Sequence, residues 1–361
     1  MSAANTYRQP WIGKPWTDTV FILLPPFLSL LVIALFPGLF HNNSDMPLAG
    51  WIILILLIDV AHVYSTLYRT YFDPASLGHR RSLLWTIPFA GFVAGVLLYS
   101  LDSLLFWRLL AYVAVFHFVR QQYGFMRIYS RKEKASRLPS LIDKLAVYYA
   151  TLFPLLHWHL EGPRNFNWFV EGDFLFFRAG WLLPFATVLY VLLMGTFVIK
   201  ELYFLLRNRY FNLPKFAVIA GTAASWYFGI VHFNGDMAFT LLNVVSHGVP
   251  YMALVWLHGK KTHAKPVAGN RFLRLVFSRA GLLIFLGIIF LLAFIEEGLW
   301  DRMVWQERGT LFGGGFFPGI KLNHQFLSLV VPLLALPQIT HYILDGFIWK
   351  IREEGAKLDG R

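Results

Sequence analysis

The chain has 361 residues, of which 57% are hydrophobic and only 14% are charged. Soluble globular domains carry roughly 25% charged residues, so this composition excludes an ordinary soluble enzyme and predicts an integral membrane protein. The lack of cysteine excludes disulfides, thiolate-bound metals and iron–sulfur clusters, while the net charge of +12 requires either an anionic partner or an unequal distribution across a membrane.

Ten apolar runs are about as long as the 20 residues that an α-helix needs to cross a bilayer. In chain order they cover 19–40, 48–70, 82–101, 103–125, 141–160, 181–204, 214–233, 237–257, 275–295 and 326–349. We therefore predict an all-α, polytopic transmembrane helical bundle of about ten spans, in which Pro25 and Pro26 kink or break the first span. No internal repeat or linker divides the chain, so residues 1–361 are expected to form a single integral membrane domain.

Lys and Arg are distributed unequally between the two sides that ten spans define. One side holds 25 of the 32 residues and the other holds five, with Arg108 and Arg120 inside predicted helices. Because cytoplasmic loops are enriched in Lys and Arg, both termini are predicted to be cytoplasmic, and no nucleic-acid partner is needed. Three polar residues near the inner face are expected to reach the lipid headgroups by snorkelling, with a catalytic role as the alternative, namely Arg69, Arg120 and Gln122. Segments 161–180 and 296–325 are then the longer extracytoplasmic loops, and the glycine run at 313–315 predicts a flexible or re-entrant segment.

Four predicted spans carry one histidine each near the middle. These spans are the second, fourth, eighth and tenth, which all run inwards, and their histidines are His62, His117, His247 and His341. Each lies roughly 15 to 22 Å from the outer end of its span, at 1.5 Å per residue. All four are therefore expected near one depth, as one buried polar site. Taken singly, each could instead be a hydrogen-bond partner between helices.

Each of these histidines has a polar companion about one helical turn away. The companions, which are the candidate catalytic residues, are Asp59, Gln121, Asn243 and Asp345. A metal-bound imidazole usually donates its second N–H to a carboxylate or a carbonyl. Asp59 and Asp345 suit either that orienting role or direct ligation, whereas Gln121 and Asn243 are expected in the shell around the ligands.

Imidazole and carboxylate without thiolate suit iron, zinc, manganese or copper. In a membrane interior close to apolar substrates, non-haem iron that activates dioxygen is the most economical chemistry. The leading hypothesis is thus a histidine-ligated oxidoreductase of the bacterial inner membrane that acts on a lipophilic molecule from the bilayer. The alternatives are a proton- or metal-coupled transporter and a haem-binding electron carrier.

A second polar set is predicted near the outer face. It comprises His157, His159, His232, Asp236 and His324. We expect interfacial side chains beside aromatic anchors, with a second metal or an access path as the alternative. Three further histidines lie in basic cytoplasmic segments and are expected to be solvated, namely His79, His258 and His263.

Two short motifs resemble a known family. His232-Phe-Asn-Gly-Asp236, followed in the next span by Ser246-His247-Gly-Val-Pro250, is similar to the histidine motifs of the Brp/Blh family. Members of that family are bacterial membrane proteins that cleave β-carotene to retinal with non-haem iron. The resemblance implies iron on the four midplane histidines and a long isoprenoid or lipid substrate. By contrast, the His-x-x-x-His and His-x-x-His-His boxes of membrane desaturases are absent from the sequence.

Overall fold

The computed structural model describes residues 9–40, 46–133, 136–263, 270–313 and 321–349. All regular secondary structure within these ranges is helical. Most of the glycine-rich segment predicted to be flexible or re-entrant, residues 314–320, lies outside the described residues.

The long helices are numbered here in chain order. They are α1 Pro15–Leu23, α2 Pro25–Leu35, α3 Leu48–Arg69, α4 Arg81–Leu101, α5 Ser103–Ser130, α6 Arg137–Glu161, α7 Gly180–Asn208, α8 Leu213–Trp226 with its continuation Tyr227–His232, α9 Asp236–His263, α10 Leu282–Trp305 and α11 His324–Ile348. Shorter helices cover Pro37–Leu39, Pro74–His79, Arg271–Val276 and Gly309–Phe312.

Seven helices in the described part of the chain are long and apolar enough to cross a membrane, namely α3, α4, α5, α7, α9, α10 and α11. The pair α1 and α2 makes an eighth if it is one span, bent by 56° between the helices. The bend falls where Pro25 starts α2 and supplies no backbone N–H, as predicted. The prediction of an all-helical fold with several helices that suit a bilayer is confirmed for the described residues. Helices α6 and α8 occupy the predicted spans 141–160 and 214–233, but they are not among the helices that are long and apolar enough to cross a membrane. Ten spans and cytoplasmic termini therefore stay predictions.

Helix α10 extends further than the sequence suggests. It begins at Leu282 and continues to Trp305, so that Glu296 and Asp301 lie in the helix instead of in a loop. Both acidic side chains are buried. Glu296 accepts hydrogen bonds from the Trp300 indole at 3.2 Å and from the Gln338 amide. These donors offset part of the desolvation cost that would otherwise expel a carboxylate from a helix bundle.

A buried cluster of charged side chains joins α6, α7 and α8. The Lys215 ammonium lies 2.8 Å from Glu201, 3.0 Å from Glu133 and 3.2 Å from Asp143. Lys200 forms further ion pairs with Asp143 and Glu201. Because each charge has at least one partner of opposite sign, the cluster can remain buried, and it fixes these three helices relative to one another.

Helix α9 lies at the centre of the bundle and α7 at its periphery. Of the most apolar stretch of α9, 72% of the residues are buried, compared with 6% for α7. Helix α9 packs against α2, α3 and α8, while α11 packs against α3, α4 and α5. The helices that carry the four midplane histidines are therefore neighbours around the bundle interior.

Candidate metal centre

The four midplane histidines converge on one point. His62, His117, His247 and His341 are each at most 3% exposed. One ring nitrogen from each lies within 4.8 Å of the corresponding nitrogens of the other three. The ring centroids of His62 and His247 are 4.7 Å apart, and those of His117 and His341 are 4.5 Å apart. The prediction that these residues form a single buried site is confirmed.

The helices bring the histidines together because each carries its histidine at a similar depth. The histidines lie 11 to 17 residues from the first residue of their helices, or roughly 17 to 26 Å along the axis. In α3, residues Ile52–Val60 are wound as a π-helix and regular α-helix resumes just before His62. Such π-helical turns are frequent at functional sites, since they change the face on which the following side chains project.

The Nε2 atoms of all four rings are buried and have no hydrogen-bond partner among the described residues. A buried, unsatisfied polar atom costs about 1 to 3 kcal/mol, so four such atoms in one cluster of imidazole rings need compensation. A bound cation would accept all four lone pairs at once, and neutral imidazole is the commonest metal ligand in proteins. The donor set therefore fits a metal ion.

Hydrogen bonds on the far side of two rings fix these rings with Nε2 facing inwards. The Nδ1 atom of His62 lies 3.2 Å from the carbonyl oxygen of Ile58, which can only accept, so Nδ1 carries the proton. The Nδ1 atom of His341 lies 2.6 Å from Oγ1 of Thr66. With the proton on Nδ1, each of these two rings presents the lone pair of its Nε2 atom to the centre, as a metal ligand must.

A chain of hydrogen bonds runs from His341 to a carboxylate. The Tyr251 hydroxyl donates to Oδ1 of Asp345 at 2.6 Å, so its oxygen accepts from the Thr66 hydroxyl at 2.9 Å. Thr66 has then used its only proton and accepts from Nδ1–H of His341. Sequence reasoning missed both linking residues, although Thr66 and Tyr251 each follow a midplane histidine by four residues.

The two acidic candidates occupy different positions. Oδ1 of Asp59 lies 3.9 Å from Nδ1 of His62, and its side chain is 36% exposed to an internal cavity. Asp345 lies between two histidines, with Oδ2 3.9 Å from Nε2 of His117 and Oδ1 3.8 Å from Nδ1 of His341. Asp345 is therefore placed to neutralise the charge of a bound cation, whereas Asp59 faces the space beside it.

Gln121 and Asn243 form no hydrogen bond with the imidazole rings of His117 and His247, their neighbours in the sequence. The Gln121 amide donates to the backbone carbonyl of His247 at 2.9 Å, and the Asn243 amide donates to the carbonyl of Phe239 at 2.9 Å. The Gln121 side chain thus bridges from α5 to the facing helix α9. Both amides support the backbone of α9 on either side of the site.

Packing, instead of hydrogen bonding, orients the His247 ring. Neither of its nitrogens has a partner among the described residues. The ring of Phe118 stacks on it at a centroid distance of 3.5 Å and an angle of 8°. On the neighbouring residue, a Cβ added to Gly248 would lie 2.9 Å from Cγ2 of Ile58 and 3.4 Å from Nδ1 of His62. Glycine therefore allows α9 to approach α3 closely at the level of the site.

A cavity of about 1120 Å³ lies between residues next to the site and the segment 162–176. Asp59, Asn243 and Tyr342 line its inner part, and Arg164 and Asp236 line it near the loops. Of the outer polar set, only Asp236 lines this cavity. The others lie apart, with His159 bonded to the Tyr112 hydroxyl, His157 beside Phe153, His232 beside Phe233 and His324 beside Tyr99. Within the described ranges, they form no group that could hold a second metal ion.

A second cavity, of about 600 Å³, reaches the site from the lipid-facing side. It runs between α5 and α11, with His117, Tyr342 and Asp345 in its wall. Phe116 and Phe347 also line it and are 64% and 41% exposed on the bundle surface. This second cavity, which we call the membrane cavity, thus opens towards the acyl chains of the bilayer. Tyr342 lines both cavities, and its ring lies 5.2 Å from that of His117.

Two histidines that were expected to be solvated are buried. His258 is 3% exposed and His263 is 8% exposed, because α9 continues through both residues. The ring of His258 lies 2.8 Å from the guanidinium of Arg69 and packs against Trp349. Only His79 is exposed, as expected.

Comparisons of the chain with protein-family models, with curated proteins and with solved structures gave no match. A function must therefore be argued from the geometry of the centre and of its two cavities. The four-histidine cluster is the strongest feature for such an argument, since it combines burial, convergence and unsatisfied nitrogens in the described residues.

Proposed function

We propose that this chain is a membrane oxidoreductase in which His62, His117, His247 and His341 hold one non-haem metal ion. The observation that carries the proposal is the convergence of one ring nitrogen from each of four buried histidines, whose Nε2 atoms have no hydrogen-bond partner among the described residues. Four neutral imidazoles with an adjacent carboxylate suit iron, and zinc, manganese or copper share this preference. We propose iron, because its redox chemistry would use a dry site with lipid access.

When bound, the metal would supply the electron transfer that the protein's side chains cannot provide. The chain's own residues would hold and position it. Thr66 and the Ile58 carbonyl fix two of the rings, Phe118 stacks on a third, and Asp345 places a negative charge beside His117 and His341. Such supporting contacts commonly change metal affinity or activity by 10- to 100-fold.

The membrane cavity supports a lipophilic substrate that enters from the bilayer. Its wall contains His117 and Asp345 at one end and lipid-exposed phenylalanine side chains at the other. A volume of about 600 Å³ is within the range of small-molecule sites. A carotenoid, which the resemblance to the Brp/Blh family implies, and a lipid are both members of this substrate class.

We place the protein in the bacterial inner membrane with both termini in the cytoplasm. The support is the strong asymmetry of Lys and Arg among the predicted loops, together with helices that suit a bilayer. Ten spans require α6 and α8 to cross as well. Cysteine accessibility labelling at Ser76 and Asn165, which ten spans place on opposite sides, would test this topology.

The first test is elemental analysis by plasma mass spectrometry of the protein purified in mild detergent, combined with an absorption spectrum. We expect about one iron per chain and no Soret band. His247→Ala should lose the metal while keeping its elution volume and helical circular dichroism. His159→Ala is the matched control, since this histidine packs against Tyr112 and Phe174 outside the centre, and it should keep its metal.

Metal-free protein that takes up no iron, zinc, manganese or copper under anaerobic reconstitution would exclude the metal centre. If metal is bound, oxygen consumption with lipid and carotenoid extracts tests the oxidoreductase assignment. A metal-loaded chain that consumes no oxygen with any of these substrates would retain the centre and reject this activity.

A metal-coupled transporter is the second candidate. Asp59 and Asp236 line the cavity of about 1120 Å³, which leads towards the four histidines. Transport requires that the ion reaches both sides of the membrane. Proteoliposomes with the chain reconstituted should then accumulate iron or zinc, and Asp236→Asn should slow the uptake. A tightly held, non-exchanging metal would favour the enzyme.

The haem alternative fits the geometry poorly. Haem bound between two of these imidazoles would need the space that the other two rings occupy, since all four nitrogens lie within 4.8 Å of one another. The expected absence of a Soret band follows from this crowding. A Soret band in the purified protein would require another pair of histidines or a rearranged bundle.

A further inference from the structure

Arg120 provides a positive charge beside the membrane cavity at an unusual depth. It lies ten residues before the end of α5, or roughly 15 Å from that end. Its guanidinium donates to the Tyr148 hydroxyl at 2.7 Å and lies 5.2 Å from the ring centroid of Tyr123. These contacts fix the guanidinium beside Tyr123 and Tyr148, at the edge of the cavity.

Among the described residues, the guanidinium has no counter-ion. No carboxylate in the described part of the chain lies within ion-pair distance of Arg120, although its side chain is exposed and lines the membrane cavity. A hydroxyl and an aromatic face reduce the cost of an intramembrane charge but do not neutralise it. Intramembrane arginines of this kind mark functional sites and normally pair with an anion.

The cavity follows one face of α5 through this charge. Its lining residues on α5 include His117, Gln121, Gly124 and Ile128, which are spaced three or four residues apart and hence share one face. A Cβ added to Gly124 would meet no atom within 4 Å, and the same is true of Gly346 on the opposite wall. These two glycines leave the space open between α5 and α11.

We propose, on the basis of the proposed function, that the membrane cavity binds a single-chain amphiphile whose anionic head pairs with Arg120. The apolar chain occupies the cavity and its lipid-facing mouth, between Phe116 and Phe347. Arg120 follows His117 by three residues, which is about 4.5 Å along the helix axis. The carbons next to the head, instead of the far end of the chain, are therefore nearest to the histidine centre.

The inference separates two classes of lipophilic substrate. A neutral hydrocarbon such as a carotenoid would leave the guanidinium uncompensated, whereas a fatty-acid carboxylate or a lysophospholipid phosphate would neutralise it. Hydrogen bonds to a charged partner contribute more to binding than neutral ones. We therefore expect the anionic amphiphile to bind at least tenfold more tightly than a neutral molecule with the same chain.

The test is photo-crosslinking of the purified chain with a diazirine-labelled fatty acid, followed by peptide mapping and competition. Labelling should fall within 113–131 and 342–349. Oleate should compete at least tenfold better than oleyl alcohol, and competition by oleoyl lysophosphatidate would show whether a carboxylate or a phosphate is preferred. Equal competition by oleate and oleyl alcohol would overturn the proposal.

Three variants make the test specific. Arg120→Gln should remove the preference for oleate, Arg120→Lys should restore part of it, and Gly124→Leu should reduce labelling by filling the cavity. Gly195→Leu is the matched control, because Gly195 on α7 also has no atom within 4 Å of an added Cβ and lies outside the cavity. An unchanged oleate preference in Arg120→Gln would reject Arg120 as the head-binding residue.

The result is independent of the metal. His247→Ala, which should lose the ion, should still crosslink the fatty acid with the same preference. Metal content without fatty-acid selectivity would reject this inference and leave the proposed centre intact. Selective crosslinking in a chain that binds no metal would support the amphiphile site and reject the proposed function.

Discussion

The hydroxyl of Thr66 lies 2.6 Å from Nδ1 of His341, although 275 residues separate the two in the chain. It passes the hydrogen bond on to Tyr251 and so to Asp345. This contact decides which nitrogen of His341 faces the other three histidines. A valine in place of Thr66 would remove this hydrogen bond with little change of side-chain volume.

Thr66→Val should weaken metal binding about 10- to 100-fold, because the imidazole loses the acceptor that orients it. The valine fills nearly the same volume, so the helical circular dichroism should be unchanged. Thr151→Val is the matched control, since Thr151 is buried and its hydroxyl bonds only to a carbonyl of its own helix. Metal competition with a chelator gives the affinity, and equal affinities in both variants would contradict the role of Thr66.

Gly248→Ala should disturb the centre through the backbone. Its Cβ would lie 2.9 Å from Cγ2 and 3.1 Å from the carbonyl oxygen of Ile58, so α9 and α3 must separate. Overpacking of this kind costs about 1 to 3 kcal/mol, and we expect a lower melting temperature together with weaker metal binding. Gly287→Ala, with no atom near the added Cβ, should melt at or above the temperature of the unmodified protein. A Gly248→Ala variant with normal stability and affinity would show that the helices adjust freely.

Two substitutions at Asp345 separate its charge from its hydrogen bond. Asp345→Asn keeps an oxygen that can accept from Tyr251 but removes the negative charge beside His117 and His341. It should fold normally and bind a divalent cation about tenfold more weakly. Asp345→Ala also leaves the Tyr251 hydroxyl without this acceptor, which should cost about 1 to 3 kcal/mol of stability. Thermal unfolding and metal titration of both variants check this prediction. Equal stability of Asp345→Asn and Asp345→Ala, or an unchanged metal affinity, would contradict it.

Lys215→Met should destabilise the bundle away from the centre. Asp143 and Glu201 would then share the ammonium of Lys200, while Glu133 would lose its ion pair and keep only the hydrogen bond from the Asn212 amide. Removing one partner of a buried ion pair typically costs about 3 to 5 kcal/mol. Lys144→Met is the control, since Lys144 is exposed on α6, and it should have little effect on thermal unfolding in detergent. Similar melting temperatures for the two variants would mean that the buried cluster contributes little to stability.

The membrane class and the candidate site could be predicted from the sequence for a physical reason. The need to satisfy every backbone polar group in lipid makes long apolar runs helical, and the fixed rise of a helix converts residue number into depth. His62, His117, His247 and His341 were therefore predicted at similar depths without knowledge of helix packing.

The rotation and the contacts of each helix were decided only by the tertiary structure. Hydropathy does not specify which face of a lipid-embedded helix meets a given neighbour, and the π-helical stretch Ile52–Val60 shifts the face on which His62 projects. For this reason Gln121 bonds to the backbone of a facing helix, and the burial of His258 beside Arg69 was not foreseen.

The two cavities were likewise invisible in the sequence. Gly124 and Gly346 create open space only because α5 and α11 lie side by side at their level. Arg120 reads as a snorkelling residue in the sequence, and only the tertiary structure shows that its guanidinium contacts Tyr123 and Tyr148 beside a cavity. Local chemistry thus determined the fold class and the shared depth of the four histidines, whereas non-local packing decided which of their nitrogen atoms lack a partner and which cavities reach them.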